Sequence, residues 1–403
     1  MTEPRMRRSD LPLSVRRAQL ALFGFFAFGG AAYALWAVHI AQFEKKFGLT
    51  HTQMSWIMLL FGVGAFAAMQ VVGPMIDRYG SRTGTWLGGA MLGLATISIG
   101  ISVSPWMLAA SVLAFGFFMG TMDVTMNAHS VEVERKFNKT IFTLFHAMWS
   151  FGGLGGAAIG FFTLRIEWDA SVTLSIYGAA VVLASIALRT WLLPNSPSQQ
   201  PENKAEAKEH AAENRRYLPY VLLLGVLATS AGIGEGTAVD WSALHLHSTL
   251  GATESVAATA VFGISLAMGI MRLIGDRIVD RFDRITVIQW GSGISGLGYL
   301  IALFSDNVPQ SLIGWTIAGI GVSAVIPQFF ALAGNVGNPT HQGRNMAKVV
   351  GMVYVGLMAG PALIGLLNQW LPLERALLTG AFLFALIVIG MPFAKAMSKK
   401  LEN

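Results

Sequence analysis

Twelve apolar stretches run along the chain, at about 18–43, 53–76, 84–104, 106–130, 141–163, 171–193, 219–243, 255–275, 285–305, 309–333, 346–369 and 374–394. A helix that crosses a bilayer needs about 20 apolar residues. Twelve such runs leave little chain for anything else, so the pattern predicts an all-α membrane protein with twelve transmembrane helices. Runs such as 57–68 do not alternate, which argues against the strands of about 10 residues that a membrane β-barrel uses.

The polar positions divide the runs. Residues 194–218 open with Pro194-Asn195-Ser196-Pro197 and continue polar and charged from Pro201 to Arg216. They read as a cytoplasmic linker between an N-terminal six-helix bundle, 1–193, and a C-terminal one, 219–403. The two bundles echo each other. After span 2 comes Gly73-Pro-Met-Ile-Asp77-Arg78-Tyr-Gly80-Ser-Arg82. After span 8 comes Gly275-Asp276-Arg277-Ile-Val-Asp280-Arg281-Phe-Asp283-Arg284. Span 5 carries Gly152, Gly156 and Gly160; span 11 carries Gly356, Gly360-Pro361 and Gly365. Both correspondences lie six spans apart, as a duplicated unit of two pseudo-symmetric bundles requires.

Charge then orients the spans. Only 12% of the 403 residues are charged, against about 25% in a soluble domain. With the N-terminus in the cytoplasm, all of the 28 Lys and Arg residues except Lys45, Lys46, Arg165 and Arg375 fall on or near the inner side. The positive-inside rule thus predicts a multi-pass protein of the bacterial inner membrane with both termini cytoplasmic. It also gives the +6 net charge a topological meaning rather than a nucleic-acid partner. The first run follows Arg5, Arg7, Arg8, Arg16 and Arg17 and resembles a leader. Its length and lack of a small-residue cleavage site predict an uncleaved first helix. No cysteine is present, which excludes thiolate metal sites and catalytic thiols. The expectation is no cofactor and no metal.

The G-x-x-x-D-R-x-G-x-R loop after span 2, its weaker copy after span 8, the twelve spans and the central linker resemble the major facilitator superfamily over the whole chain. Asp123-Val-Thr-Met-Asn127, Val131-Glu132-Val-Glu134-Arg135, Asn138-Lys139-Thr140, His146, Ser150-Phe-Gly152 and Glu235-Gly-Thr-Ala-Val-Asp240-Trp241-Ser242 are similar to a bacterial subgroup of inner-membrane transporters that includes proteins linked to rhizopine transport. More distantly, they resemble the fucose permease type of proton–sugar symporter. In that type an acidic residue of helix 4 carries the proton, and Asp123 holds the matching place. Trp149 stands where that type has an asparagine in helix 5, so fucose specificity does not carry over.

Charge at the bilayer centre costs at least about 2.5–3.5 kcal/mol, so ionisable residues at depth need a reason. Asp123 and Asn127 share a face of span 4 at i, i+4. His146 and Trp149 share a face of span 5. The four line one side of a cavity, or Asp123 and His146 make a helix-packing hydrogen bond. Burial disfavours a charged carboxylate, which makes Asp123 the expected proton carrier, with His146 and Glu235 as partners in coupling. Three alternate glycines, Gly232, Gly234 and Gly236, predict a local break of span 7 beside Glu235. Asp240 either meets substrate or pairs and caps near the surface. Trp241 is either a ligand contact or an interface anchor. Trp36 and His39 lie one turn apart in span 1, facing a cavity or anchoring at the interface. Gln328, Asn335 and Tyr354 are candidate polyol partners or interhelical bonds. His245 and His247 read as exposed residues of an outer loop rather than a metal site.

Gly73, Asp77, Arg78, Gly80 and Arg82, with Asp280 and Arg281 in the copy, form an expected cytoplasmic gate, and Glu132 and Glu134 are candidate partners for Arg78 or Arg82. The resemblance supports this gate; exposed pairs alone are worth only about 0–1 kcal/mol. The glycine ladder of span 5 lets backbones approach closely. Drug–proton antiporters have proline after a ladder glycine, and here that position is Ala157. With no Walker A run and no nucleophile–base or metal cluster at depth beyond Asp123 with His146, the chain is expected not to be an enzyme. The reading is a monomeric secondary transporter that moves a small polar solute, sugar or polyol-like, by alternating access in symport with protons. Its alternative is proton-coupled efflux of a drug or metabolite. A sensor or scaffold is disfavoured by short tails without a further domain.

Overall fold

The computed structural model describes residues 12–137, 139–195, 204–337 and 341–402. Arg5, Arg7 and Arg8, Asn138 and the linker stretch 196–203 lie outside the described residues. Every described element is a helix: α1 Leu13–Phe47, α2 His51–Tyr79, α3 Ser81–Gly100, α4 Pro105–Phe137, α5 Phe142–Arg165, α6 Ala170–Leu188, α7 Lys204–Ser248, α8 Glu254–Phe282, α9 Arg284–Leu303, α10 Val308–Val322, α11 Val325–Ala333, α12 Gln342–Leu367 and α13 Leu373–Glu402. In lipid only helices and closed barrels satisfy the backbone, and these helices follow the apolar runs. With α10 and α11 counted as one crossing, 11 crossings among the described residues are long and apolar enough to span a membrane. The less apolar α3 is of spanning length, with glycines at 84, 88, 89, 93 and 100 in place of larger apolar side chains. The chain is a multi-pass, all-α membrane protein.

The chain falls into two compact units: Met1–Ile141 with Phe145–His210 and Asn338–Ala347, and Phe142–Leu144 with Ala211–Gly337 and Lys348–Asn403. The main cut, between 210 and 211, lies inside α7. In the first unit α2 packs on α4, and α3 packs on α4 and α6. In the second, α8 packs on α10, and α9 packs on α10 and α13. These pairings match when shifted by six crossings, so the repeat extends from sequence to packing.

The repeated turn shows how two sequences make one conformation. Gly80 ends α2 with φ 81° and ψ 163°, and Asp283 ends α8 with φ 68° and ψ 159°. The positive φ suits glycine and strains most other residues. Asp283 offsets the strain by capping α9, accepting from the Thr286 N–H at 2.9 Å and its hydroxyl at 2.8 Å. Gly80 has no side chain to do this. Asn195, distant in sequence, accepts from the Arg82 N–H at 3.0 Å and donates to the Tyr79 carbonyl at 2.6 Å. Elsewhere local caps start the helices: Thr50 and Gln53 form a capping box on α2, Asn307 caps α10, and Asp169 caps α6. The Ser171 backbone N–H holds the Asp169 carboxyl below the usual carboxylate range.

Two sequence expectations change here. Span 7 is unbroken: α7 continues through Gly232, Gly234 and Gly236. Those glycines serve close packing instead, Gly232 and Gly236 against α12 and Gly234 against Phe384 of α13. The break falls in span 10, between α10 and α11. His245 and His247 also lie within α7 rather than in a loop. His245 is buried and accepts from the Trp315 indole at 3.4 Å; His247 bonds the Ala252 carbonyl at 2.8 Å.

The glycine ladder does what its spacing predicts. A Cβ on Gly152 or Gly156 would overlap the α1 backbone at Ala27 or Ala31, and one on Gly160 would meet Val38. Gly155, on another face of α5, meets nothing. Gly156→Leu is therefore expected to lower stability by at least the roughly 1–3 kcal/mol of core overpacking, while Gly155→Leu leaves it nearly unchanged. Thermal unfolding in detergent, followed by size-exclusion chromatography, compares the two.

Candidate functional site

In the first unit α4 and α5 bring three of the expected residues together. Asn127 donates from Nδ2 to the Asp123 carboxylate at 3.0 Å and to the Asp123 carbonyl at 2.8 Å. Its Oδ1 lies 3.1 Å from His146 Nε2. An amide oxygen only accepts, so the network assigns the proton to Nε2 and reads His146 → Asn127 → Asp123. Asp123 and Asn127 are buried, and His146 is half-buried, with its ring edge-on to Phe26 at 5.2 Å. The amide bridges carboxylate and imidazole, so the i, i+4 spacing in α4 sets the geometry of the trio. Trp149, one turn along α5, lies on α1 where Gly29 leaves no room for a Cβ. Trp36 and His39 sit apart from this trio. Trp36 is in the apolar core beside Phe43, at 5.8 Å between ring centroids, and is not exposed as an interfacial anchor would be. His39 is buried and bonds its own helix at the Leu35 carbonyl, 2.8 Å away.

In the second unit Glu235 of α7 meets a residue that sequence reasoning passed over. Arg272 of α8 is buried and reaches the Glu235 carboxylate from Nη2 at 3.4 Å. Its Nε donates to the Ser323 carbonyl at 3.0 Å. Pro327 explains why that carbonyl is free. A helix would bond it to the N–H four residues on, and proline has none. Arg272 supplies the missing donor at the break between α10 and α11. Its signal in the sequence was a charge inside an apolar run, the criterion that selected Asp123; counting it only toward topology hid it.

The other residues of the second unit scatter. Asp240 is exposed. Trp241 is half-buried, its ring reaching toward Gly365 of α12. Tyr354 is half-buried on α12. Gln328 is engaged at both ends of its amide, accepting from Arg284 and donating to the Thr143 hydroxyl at 2.8 Å, so its polar atoms already serve helix packing. Asn335, in the turn just after α11, donates to the Ala331 carbonyl in the last turn of that helix at 2.7 Å.

The expected gate residues divide. Asp77 accepts from the Gly343 N–H at 2.9 Å and pairs with Arg344 at 3.2 Å, so it caps the first turn of α12. Gly73 lets α2 approach that turn at Arg344 and Ala347. The matching contact in the second unit comes from Asp276, which accepts from the Thr143 and Leu144 N–H groups at 2.8 and 2.9 Å in the first turn of α5. Asp276 lies one helical turn before Asp280. Asp280 is half-buried, and Arg281 is exposed beside its neighbour Phe282. Glu132 and Glu134 are not the partners of Arg78 or Arg82. Glu132 accepts from Ser81 at 2.8 Å, and Glu134 accepts from the Ile141 N–H at 2.8 Å. Arg82 donates to the Arg189 carbonyl, and Arg78 lies over the Tyr79 ring. Those carboxylates are taken by nearer donors of their own unit.

Carboxylates on helix N-termini gain from capping and from the helix dipole, together about 1–2 kcal/mol in partly buried sites. Asp77→Ala and Asp276→Ala are each expected to lower unfolding stability by about that much, and Asp280→Ala by less. Thermal melts of the three purified variants measure the order.

The sequence matches the profile described as Major Facilitator Superfamily over residues 20–235 and 223–401. An uncharacterized MFS-type transporter of Yersinia pestis is 30% identical over 85% of this chain and 87% of its own length. An uncharacterized transporter of Sinorhizobium fredii is 28% identical over 92% of this chain and 96% of its own. Among solved structures, the E. coli fucose:proton symporter superposes with a TM-score of 0.74 at 18% identity, covering 95% of this chain and 99% of that one. At that identity the likeness shows the fold.

Proposed function

The chain belongs to the major facilitator superfamily and is a transporter, and from that premise we propose that it carries a small polar solute, sugar or polyol-like, in symport with protons. The observation that carries this reading is the buried trio Asp123, Asn127 and His146. A buried carboxylate tied through an amide to an imidazole can hold or release a proton with a small change of geometry. In this reading Asp123 carries the coupling proton, Asn127 senses its charge, and His146 turns that change toward the solute. The E. coli neighbour is a fucose:proton symporter, which supports a hydroxyl-rich solute. The arginine count along the sequence supports an inner-membrane protein with both termini in the cytoplasm. The resemblance of the Asp77-Arg78 loop supports a cytoplasmic gate in a transporter that cycles by alternating access. A monomer suffices.

Proteoliposomes test the reading. An inward proton gradient is imposed in the presence of L-fucose, myo-inositol, D-glucose, D-glucuronate and D-galactonate. Wild-type protein is expected to accumulate at least one of these. Asp123→Asn is expected to abolish accumulation while retaining solute exchange without a gradient. Full accumulation by Asp123→Asn removes Asp123 from coupling. Expulsion of a solute by inward protons replaces symport with antiport.

A further inference from the structure

Arg272 and Glu235 form an ion pair whose geometry is unusual for a structural one. A buried carboxylate usually has several donors. Glu235 has a single nitrogen of Arg272 on Oε1, at the long limit of a hydrogen bond, and its Oε2 is buried without a hydrogen-bond partner. The arginine is placed by something else. Its Nε is fixed on the Ser323 carbonyl, which Pro327 leaves without a helical donor. The guanidinium is thus anchored on the backbone through Nε, while its Nη2 reaches the Glu235 carboxylate only at 3.4 Å. Burying a cation is costly without an anion, so the site requires one negative charge but does not require that it be Glu235.

On the reading of a proton-coupled carrier of polar solutes, we propose that Arg272 is the cargo's anion site and that the cargo is a sugar acid or a similar polyhydroxy carboxylate. The step is an exchange. A proton binds the Glu235 carboxylate, and the neutral acid releases Nη2. The carboxylate of the cargo then takes the hydrogen bond to Nη2. The formal charge beside Arg272 stays at minus one before and after. On release the carboxylate leaves and the proton returns to solvent from Glu235. An arginine fork suits a planar carboxylate, and a helix break at depth is where many transporters place their solutes.

The groups around Glu235 are consistent with this exchange. Arg272 of α8 is the charged residue that acts on it among the described residues. From α9 the Tyr299 phenol donates to the neighbouring Gly234 carbonyl at 2.6 Å. The α10 and α11 segments carry no charged residue. From α13, Phe384 packs at Gly234. Asp240, five residues on in α7, is exposed.

Binding to the purified full-length protein tests the proposal, with D-glucuronate, D-galactonate and myo-inositol as probes and intrinsic tryptophan fluorescence as readout. At least one acid is expected to bind at least tenfold more tightly than myo-inositol. Its apparent Kd is expected to rise about tenfold per pH unit where Glu235 ionises, one proton being linked. Glu235→Gln, a neutral mimic of the protonated acid, is expected to keep the binding and flatten its pH dependence. Arg272→Gln is expected to lose at least tenfold in affinity for the acid. Because Arg272→Gln can also fail to fold, the flattened profile of Glu235→Gln is an independent readout. Myo-inositol binding as tightly as either acid, with an unchanged pH profile in Glu235→Gln, overturns the anion site and leaves polar-solute symport standing. No binding or accumulation of any probe overturns both.

Discussion

A backbone that crosses lipid must satisfy its own polar groups, because no water is at hand to do so. Helices meet that demand along their length and fail at their ends and breaks. The charged side chains of this protein with the most definite geometry stand at such failures. Asp77 serves the first turn of α12, Asp276 that of α5, and Arg272 the carbonyl that Pro327 strands at the break of span 10. A chain that is only 12% charged commits these charges to its backbone. Each contact is charge-assisted, so each is strong, and each is lost if the element it serves moves away. Reversible contacts of this kind suit a molecule that must change shape.

The repeat shows the same economy of means with a shift. Both halves turn after their second crossing through a residue with positive φ, Gly80 in one and Asp283 in the other. Both place an acid on the first turn of a glycine-rich helix. The acid sits three residues before the turn in the first half and seven before it in the second, one helical turn apart. A turn of helix returns a side chain to nearly the same face, so either position can reach a neighbouring helix end. Gly73, which occupies the position matching Asp276, instead makes room for α12. Duplication preserved the contact and not the residue that makes it.

This is why the sequence discloses some features and hides others. The spans are legible because apolar length is a local property, and the ladder of Gly152, Gly156 and Gly160 is legible because its four-residue spacing defines one face. The trio of Asp123, Asn127 and His146 follows from two such spacings on adjacent helices. Asp276 was not legible, since Gly275-Asp276-Arg277 and Asp280-Arg281 offer two Asp-Arg registers and only packing selects between them. Three glycines predicted a break in α7 because glycine weakens an isolated helix, yet α12 and α13 hold that helix by packing onto the same glycines. The true break needed one proline, one orphaned carbonyl and an arginine from another helix. Asn195 and His245 likewise depend on partners distant in the chain.

Asp123 and Glu235 differ in their partners, and on the proposed reading that difference divides their work. Asp123 is bridged by a neutral amide to a histidine, whereas Glu235 faces an arginine that is always charged. In the proposed exchange a proton on Glu235 frees Arg272 for the carboxylate of the cargo, so the protonation of Glu235 is tied to cargo. Asp123, held through the Asn127 amide, is the residue that carries the coupling proton in that proposal. On the proposed reading one site serves the proton supply and the other admits the solute. Proton symport of that kind needs both, and a single carboxylate performing both would have to be insensitive to, and governed by, the same charge. Distributing them between the two repeats of a duplicated fold removes that conflict.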